Sequence, residues 1–280
     1  MTATNQAGIA GQLPKRAATR RQGKVAEIRE LGKRERLLLG LAGIVAILAA
    51  WEIGSRTGVI NPIVASSPTG ILEGAMELSE QGVLLPALGS TARLFAIGFG
   101  ISLVGGLVIG AITGWYVRAS AVVDPWISIL YASPRIAFLP LIAVWFGPEL
   151  TGQIVVVVLI AIFPIIINVA SGVASVDRGH LRMARSFLAT NRDVLMTVAL
   201  PGAIPAVASG IRQGMMQGLL GVVVAEYFLG GTGIGGVIFQ AGLTLKTGQA
   251  MLGALIFAAA AIILTSLLRT VESRLDKWRV

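Results

Sequence analysis

The stretch Asp177-Arg178-Gly179-His180-Leu181-Arg182-Met183-Ala184-Arg185-Ser186-Phe187-Leu188-Ala189-Thr190-Asn191-Arg192-Asp193 places four arginines and two aspartates between two long apolar runs. Alanine, leucine, methionine and arginine favour helix. Leu181, Ala184, Phe187 and Leu188 recur at i, i+3, i+6 and i+7, so the spacing predicts a short helix over Leu181–Thr190 with one apolar face. A segment of this kind between two membrane-length runs is a docking surface held outside a bilayer. It leads into Val198-Ala199-Leu200-Pro201.

The flanking runs set the class. The chain has 280 residues, of which 55% are hydrophobic and 13% charged, with a mean hydropathy of +0.80. That is far from the composition of a soluble domain. Runs near Leu37–Gly54, Leu88–Thr113, Ala121–Phe146, Ile154–Ser175, Gly202–Phe228 and Met251–Leu268 can each cross a hydrocarbon core, which takes ~20 helical residues. Continuous apolar runs rather than alternation select helices over a barrel. The expected architecture is an all-α polytopic membrane protein, with a basic tail over residues 1–36 and six transmembrane helices over residues 37–280.

The tail holds nine of the Lys/Arg residues against three Glu, two-thirds of the net charge of +9. Its glycines, Pro14 and scattered arginines read as disordered. It has no aromatic residue for stacking, so nucleic acid is not expected as a partner. Basic flanks keep a segment in the cytoplasm. Arg118, the arginines of the 178–192 segment, and Arg269, Arg274, Lys277 and Arg279 fall on the same side of a six-span count as the tail. The other side carries Glu73, Glu77, Glu80 and Glu149, with Arg56 and Lys246. Both termini are therefore expected in the cytoplasm.

Several chemistries are excluded. Cysteine is absent, so there is no disulfide or thiolate site. His180 stands without a histidine or cysteine partner, so no metal site is expected. No nucleophile–histidine–carboxylate set can be assembled around it. Gly230-Gly231-Thr232-Gly233-Ile234-Gly235-Gly236 lacks the lysine of a phosphate-binding loop. The chain is not expected to be an enzyme or to carry a cofactor, and any ATP must be hydrolysed by another chain.

Inside the spans a few residues stand out. Ser133-Pro134-Arg135-Ile136-Ala137-Phe138-Leu139-Pro140 puts an arginine between two helix-breaking prolines. A charge at that depth costs ~2.5–3.5 kcal/mol unless it is met. Arg135 either reaches backbone carbonyls freed by Pro140 or faces a solute path. Arg212 in the fifth span poses the same problem, with Gln213 and Gln217 alongside as polar lining. Ser66-Ser67-Pro68-Thr69 opens a helix through Gln81 that is too short to span. In the second span, Gly105, Gly106 and Gly110 suit close helix packing.

The 182–201 segment resembles the EAA loop of ABC importer permeases: Glu-Ala-Ala, three residues, Gly, nine residues, then Ile-x-Leu-Pro. Here Arg182, Met183 and Ala184 stand at the first three places, Leu188 at the glycine, and Val198, Leu200 and Pro201 at the end. The glutamate and the glycine are replaced. Pro134-Arg135-x-Ala137-x-x-Pro140-Leu141-x-x-x-Trp145-Phe146-Gly147 is similar to the nitrate/sulfonate/taurine group of these permeases. So are Ser67-Pro68, Ser90-x-x-Arg93, Gly210-x-Arg212, and Ala225-Glu226 followed by Gly233-x-Gly235.

The resemblance covers residues 37–275 and implies a type I importer permease of a bacterial inner membrane. The segment around Leu181, Arg182, Met183, Ala184, Arg185, Phe187 and Leu188 would be the coupling helix, seated in a groove of an ATP-binding subunit. Arg135, Arg212, Gln213 and Gln217 would line the translocation path. Two ATP-binding subunits, a second copy of the permease and an extracytoplasmic binding protein would complete the importer of a small anion such as a sulfonate, taurine or nitrate. A different small solute such as a vitamin precursor, or a self-standing secondary transporter, is the alternative.

Overall fold

A computed structural model describes residues 32–61, 63–176 and 178–275, and the regular elements among them are all helical. The tail expected over residues 1–36 lies outside the described residues up to position 31. From Lys33 the chain is already helix: α1, Lys33–Arg56.

Ser67 then caps α2, Pro68–Glu80. Its hydroxyl accepts from the Gly70 amide at 3.0 Å, with Pro68 in the first turn as the sequence predicts. The remaining helices are α3 (Leu84–Trp115), α4 (Val117–Ala132), α5 (Leu139–Phe146), α6 (Leu150–Ala174), α7 (Arg178–Ser186), α8 (Asn191–Val194), α9 (Leu200–Phe228), α10 (Ile234–Leu243) and α11 (Thr247–Leu275). Helices α1, α3, α6, the continuous α8–α9 and α11 are long and apolar enough to cross a membrane, and α4–α5 makes a sixth if the bent pair is one span.

The third span was expected over Ala121–Phe146 with its helical ladder broken at Pro134 and Pro140. The structure shows the size of the break: α4 and the segment after it meet at 92°. The cause is local. Ser133 precedes Pro134 and is driven out of helical geometry to φ −71°, ψ 145°. A single 3₁₀ turn, Arg135–Phe138, follows. Pro140 then sits in the first turn of α5, where a missing amide costs nothing.

Helix α6 forms the centre, packed between α3 and α9. Small residues let the backbones approach. On α3, positions 98, 102, 106, 110 and 114 carry Gly, Ser, Gly, Gly and Gly at a spacing of four. A methyl group added at Gly106 would lie 2.7 Å from Ile165 Cβ, and one at Gly114 would lie 2.6 Å from the Ala170 carbonyl oxygen. On α9, Gly210, Gly214 and Gly221 meet Ile165, Ala161 and Val157. The order of these contacts makes α3 parallel and α9 antiparallel to α6.

Thr190 starts the α8–α9 rod. Its hydroxyl and amide both donate to Asp193, at 2.6 and 3.0 Å, and the Asp193 amide returns to Thr190. A π-turn over Leu195–Ala199 loosens the ladder just before Pro201, which has no amide to give. The rod then runs unbroken through Pro205 to Phe228. The expected fifth span began at Gly202; the helix starts eleven positions earlier, at Asn191.

Candidate translocation path and docking segment

The polar segment does form a helix, displaced from its expected bounds. It spans Arg178–Ser186 instead of Leu181–Thr190. Phe187 and Leu188 lie beyond its end and do not extend an apolar face along it. Leu188 takes φ +59°, the left-handed region. Ala189 donates to the Ala184 carbonyl at 3.3 Å, and Phe187 donates to the same oxygen at 3.2 Å. This is a Schellman-type ending whose left-handed residue is usually glycine. The place where the family motif has glycine is the place where this backbone needs one. Phe187 and Leu188 are 79% and 92% exposed, and Met183 and Arg182 are exposed beside them. The side chains of Leu181 and Arg185 lie outside those described.

Two of the four path residues come together. Arg135, Gln217, Ser133, Ile160, Leu220 and Val224 line one cavity of about 200 Å³. Arg135 is half-buried. Its Nη1 donates to the Ile160 carbonyl at 3.1 Å, and its guanidinium stands 5.1 Å from the Tyr131 ring centre. Ile160 is four residues before Pro164, so no helical amide is there to claim that carbonyl. The proline that frees the carbonyl is thus Pro164 on α6, not Pro140. A guanidinium has five N–H donors, so others remain for the cavity.

Gln213 faces elsewhere on α9. Its side-chain oxygen accepts from Asn168 Nδ2 at 3.2 Å, and the same Nδ2 donates to the Pro164 carbonyl at 2.8 Å. Arg212 is apart from both glutamines and forms an ion pair with Glu272 on α11. Its charge was expected to be met by water, carbonyls or a passing anion; a carboxylate sixty residues away meets it instead.

Sequence reasoning missed a polar cluster at the other end of α9. Glu226 is 1% exposed. Its carboxyl group accepts from Thr91 Oγ1 at 2.9 Å and from the Gly235 amide at 2.8 Å. The Ile234 amide donates back to Thr91 at 2.8 Å. Gly231, Gly233 and Gly235 all fold against Glu226, where a methyl group at Gly233 would lie 1.9 Å from Oε1. The Ala-Glu and Gly-x-Gly fragments were the visible signal.

At this same end α2 meets the start of α11. Lys246 pairs with Glu77, and Gln249 donates to it at 2.9 Å. The Lys246 ammonium, then Gln249, hold the Glu77 carboxyl below its ordinary range. The two sit on a cavity of about 480 Å³ bounded by Glu52, Glu73 and Arg56. Among the described residues no group of three His, Cys, Asp or Glu side chains could hold a metal ion.

A core of parallel and antiparallel apolar helices, with an exposed EAA-like turn joined directly to α9, is the arrangement of an importer permease. Residues 106–279 match the family model described as binding-protein-dependent transport system inner membrane component. The chain belongs to this family. Its permease relatives include SsuC of Bacillus subtilis, named for aliphatic sulfonates transport and 31% identical with 98% of each chain covered. The taurine transport system permease protein TauC of Escherichia coli is 28% identical, covering 86% of this chain and 89% of its own. The nitrate import permease protein NrtB of Leptolyngbya laminosa is 26% identical, covering 82% and 77%. This permease is thus a multi-pass inner membrane transport subunit of the ABC importer type, in the sulfonate/taurine/nitrate subgroup.

Proposed function

We propose that this permease carries a small anion, a sulfonate, taurine or nitrate, into the cytoplasm as a pair of identical copies driven by two ATP-binding subunits and supplied by an extracytoplasmic binding protein. The observation that carries the proposal is the exposed Phe187–Leu188 turn, two residues before Thr190, which caps the α8–α9 rod. Leu181, Arg182, Met183, Ala184 and Arg185 complete the docking segment. A partner that moves this segment moves the base of a rod whose middle presents Gln213 and Gln217. Gln217 shares a cavity with Arg135, so sliding α9 against α6 opens or closes the space beside a guanidinium. That guanidinium attracts an anion and is pre-positioned by Ile160 and Tyr131.

Both termini face the cytoplasm in this reading. The arginine-rich loops support it, as does the helix order: the C-terminal part of α1 meets the start of α2, which packs on the start of α11, while the C-terminal end of α11 meets Arg212 in the first half of α9. The family's dependence on binding proteins favours a subunit over a self-standing transporter. The test is uptake of labelled taurine, ethanesulfonate and nitrate into proteoliposomes holding the permease and its ATP-binding subunits, with binding protein outside. ATP-dependent uptake of one of the three is expected. Uptake of none, alongside ATP-dependent uptake of a cation or a neutral solute, overturns the anion assignment.

A further inference from the structure

The Arg212–Glu272 pair is incomplete in a specific way. One nitrogen, Nη2, meets one oxygen, Oε2. The adjoining Nε and Oε1 are both enclosed and have no hydrogen-bond partner among the described residues. They are complementary to each other. A guanidinium presenting Nε and Nη2 side-on to both carboxylate oxygens forms two parallel bonds, the strongest geometry this pair can adopt. Leaving both atoms enclosed and unmet carries a cost that the two-bond arrangement removes.

The surroundings permit a shift. Across the same interface Thr265 Oγ1 stands 3.6 Å from Met216 Sδ, a weak contact. Helix α11 is held at its start, where methyl groups at Gly248 and Gly253 would each lie 2.4 Å from a neighbour, Gly70 O and Ile238 Cγ1, whereas Glu272 stands at its far end. Arg212 also lies five residues before Gln217, which lines the Arg135 cavity from α9.

We propose that Arg212 and Glu272 form a positioning clasp between α9 and α11, singly bonded in the state seen here and doubly bonded in the alternate transport state. The clasp sets how far α9 and α11 move past one another during a cycle. Arg212 is accordingly not a ligand for the solute. This rests on the importer reading above, because only a cycling transporter needs two states of the contact.

The experiment compares Arg212→Lys, Glu272→Gln, Arg212→Glu and the charge-swapped Arg212→Glu/Glu272→Arg in the assembled complex in proteoliposomes. The probe is whichever of taurine, ethanesulfonate or nitrate the wild type carries. Lysine keeps the charge but cannot make the two-bond fork. Arg212→Lys is expected to assemble in wild-type yield, with KM within twofold and kcat reduced about fivefold or more. Arg212→Glu should lose more, and the swap should recover kcat to within about threefold of wild type, since it restores a fork. A raised KM in Arg212→Lys with no recovery in the swap would overturn the proposal in favour of an anion ligand. Wild-type kcat in Arg212→Lys would reduce the pair to a static strut and also overturn it. Should the wild type carry none of the three anions, the anion reading fails by itself, and the same kcat comparison is read from ATP hydrolysis by the complex.

Discussion

Leu188 is the position where docking and backbone strain can be separated. Its left-handed φ of +59° costs an L-residue roughly 1–2 kcal/mol. Glycine relieves that cost but loses about 0.4–1 kcal/mol through greater freedom in the unfolded chain. Leu188→Gly should therefore leave the turn as stable or up to about 1.6 kcal/mol more stable. The side chain is 92% exposed, so it contributes no packing within the subunit. If it fills a groove on an ATP-binding subunit, its removal forfeits about 1.5–3 kcal/mol of burial, a loss of roughly 10–150-fold in affinity. Leu188→Asn should behave similarly, because asparagine tolerates the left-handed region while lacking the apolar surface. Leu188→Ala keeps the strain and loses the surface, so it should be the weakest of the three. The assay is titration of purified permease with the ATP-binding subunit in detergent, paired with thermal unfolding of each variant. Wild-type affinity in both Leu188→Gly and Leu188→Asn would refute docking through this side chain, and would leave the turn geometry as the whole content of the position.

Other positions give equally direct outcomes. Arg135→Gln should weaken the hold on the Ile160 carbonyl by about 1.5–3 kcal/mol and cut uptake more than it cuts complex yield; equal loss of both would mark the residue as purely structural. Gly114→Ala forces a methyl group to 2.6 Å from a backbone oxygen that cannot move aside, so the melting temperature should fall by an amount corresponding to about 1–3 kcal/mol, whereas Gly100→Ala, which meets nothing, should be neutral. Glu77 has a lowered folded-state pKa, so its tie to Lys246 stabilises the α2–α11 contact above the unfolded carboxyl value of about 4.3 and is lost as pH falls through the folded value. The melting difference between wild type and Glu77→Gln should therefore be present at pH 7 and shrink as pH falls below the ordinary carboxylate range. Cysteines placed at Arg118 and Arg178 should resist an impermeant thiol reagent in intact cells, while those at Glu80, Glu149 and Lys246 react; labelling at Arg178 would invert the topology.

The spans were legible because a helix exposed to lipid must be apolar for some twenty residues without relief, and that leaves a mark no other constraint produces. The bend between α4 and α5 was half legible. Pro134 and Pro140 announce broken ladders, yet the 92° angle depends on Ser133 swinging out of helical geometry and on α6 standing where the turned chain can pack. Helix α10 escaped notice: its ten residues are too few for a span and follow a glycine run that reads as loop. The bounds of α7 were misplaced because Leu188 is a good helix former by composition, while the motif around it asks for a residue that ends helices. Partners of buried polar groups were the least legible of all. A search one helical turn either side of Arg212 cannot find Glu272, nor can one around Glu226 find Thr91, since those contacts exist only once the spans have been set beside each other.

What the polar contacts share is α9. From the α7 end upward it carries the Thr190–Asp193 cap, the Arg212–Glu272 pair, Gln213 against Asn168, Gln217 beside Arg135, and Glu226 under the glycine loop. The two soft places in the rod, the π-turn at Leu195–Ala199 and Pro205, both lie before the first of the intramembrane contacts. Beyond them α9 packs closely on α6 through glycines seated against Ile165, Ala161 and Val157. A push at the docking turn is therefore taken up by bending below Arg212 or by translation above it. Bending would leave Gln217 and Arg135 where they are. Translation changes the cavity between them and the registry of the Arg212 fork together, so these two sites should respond to the partner as one.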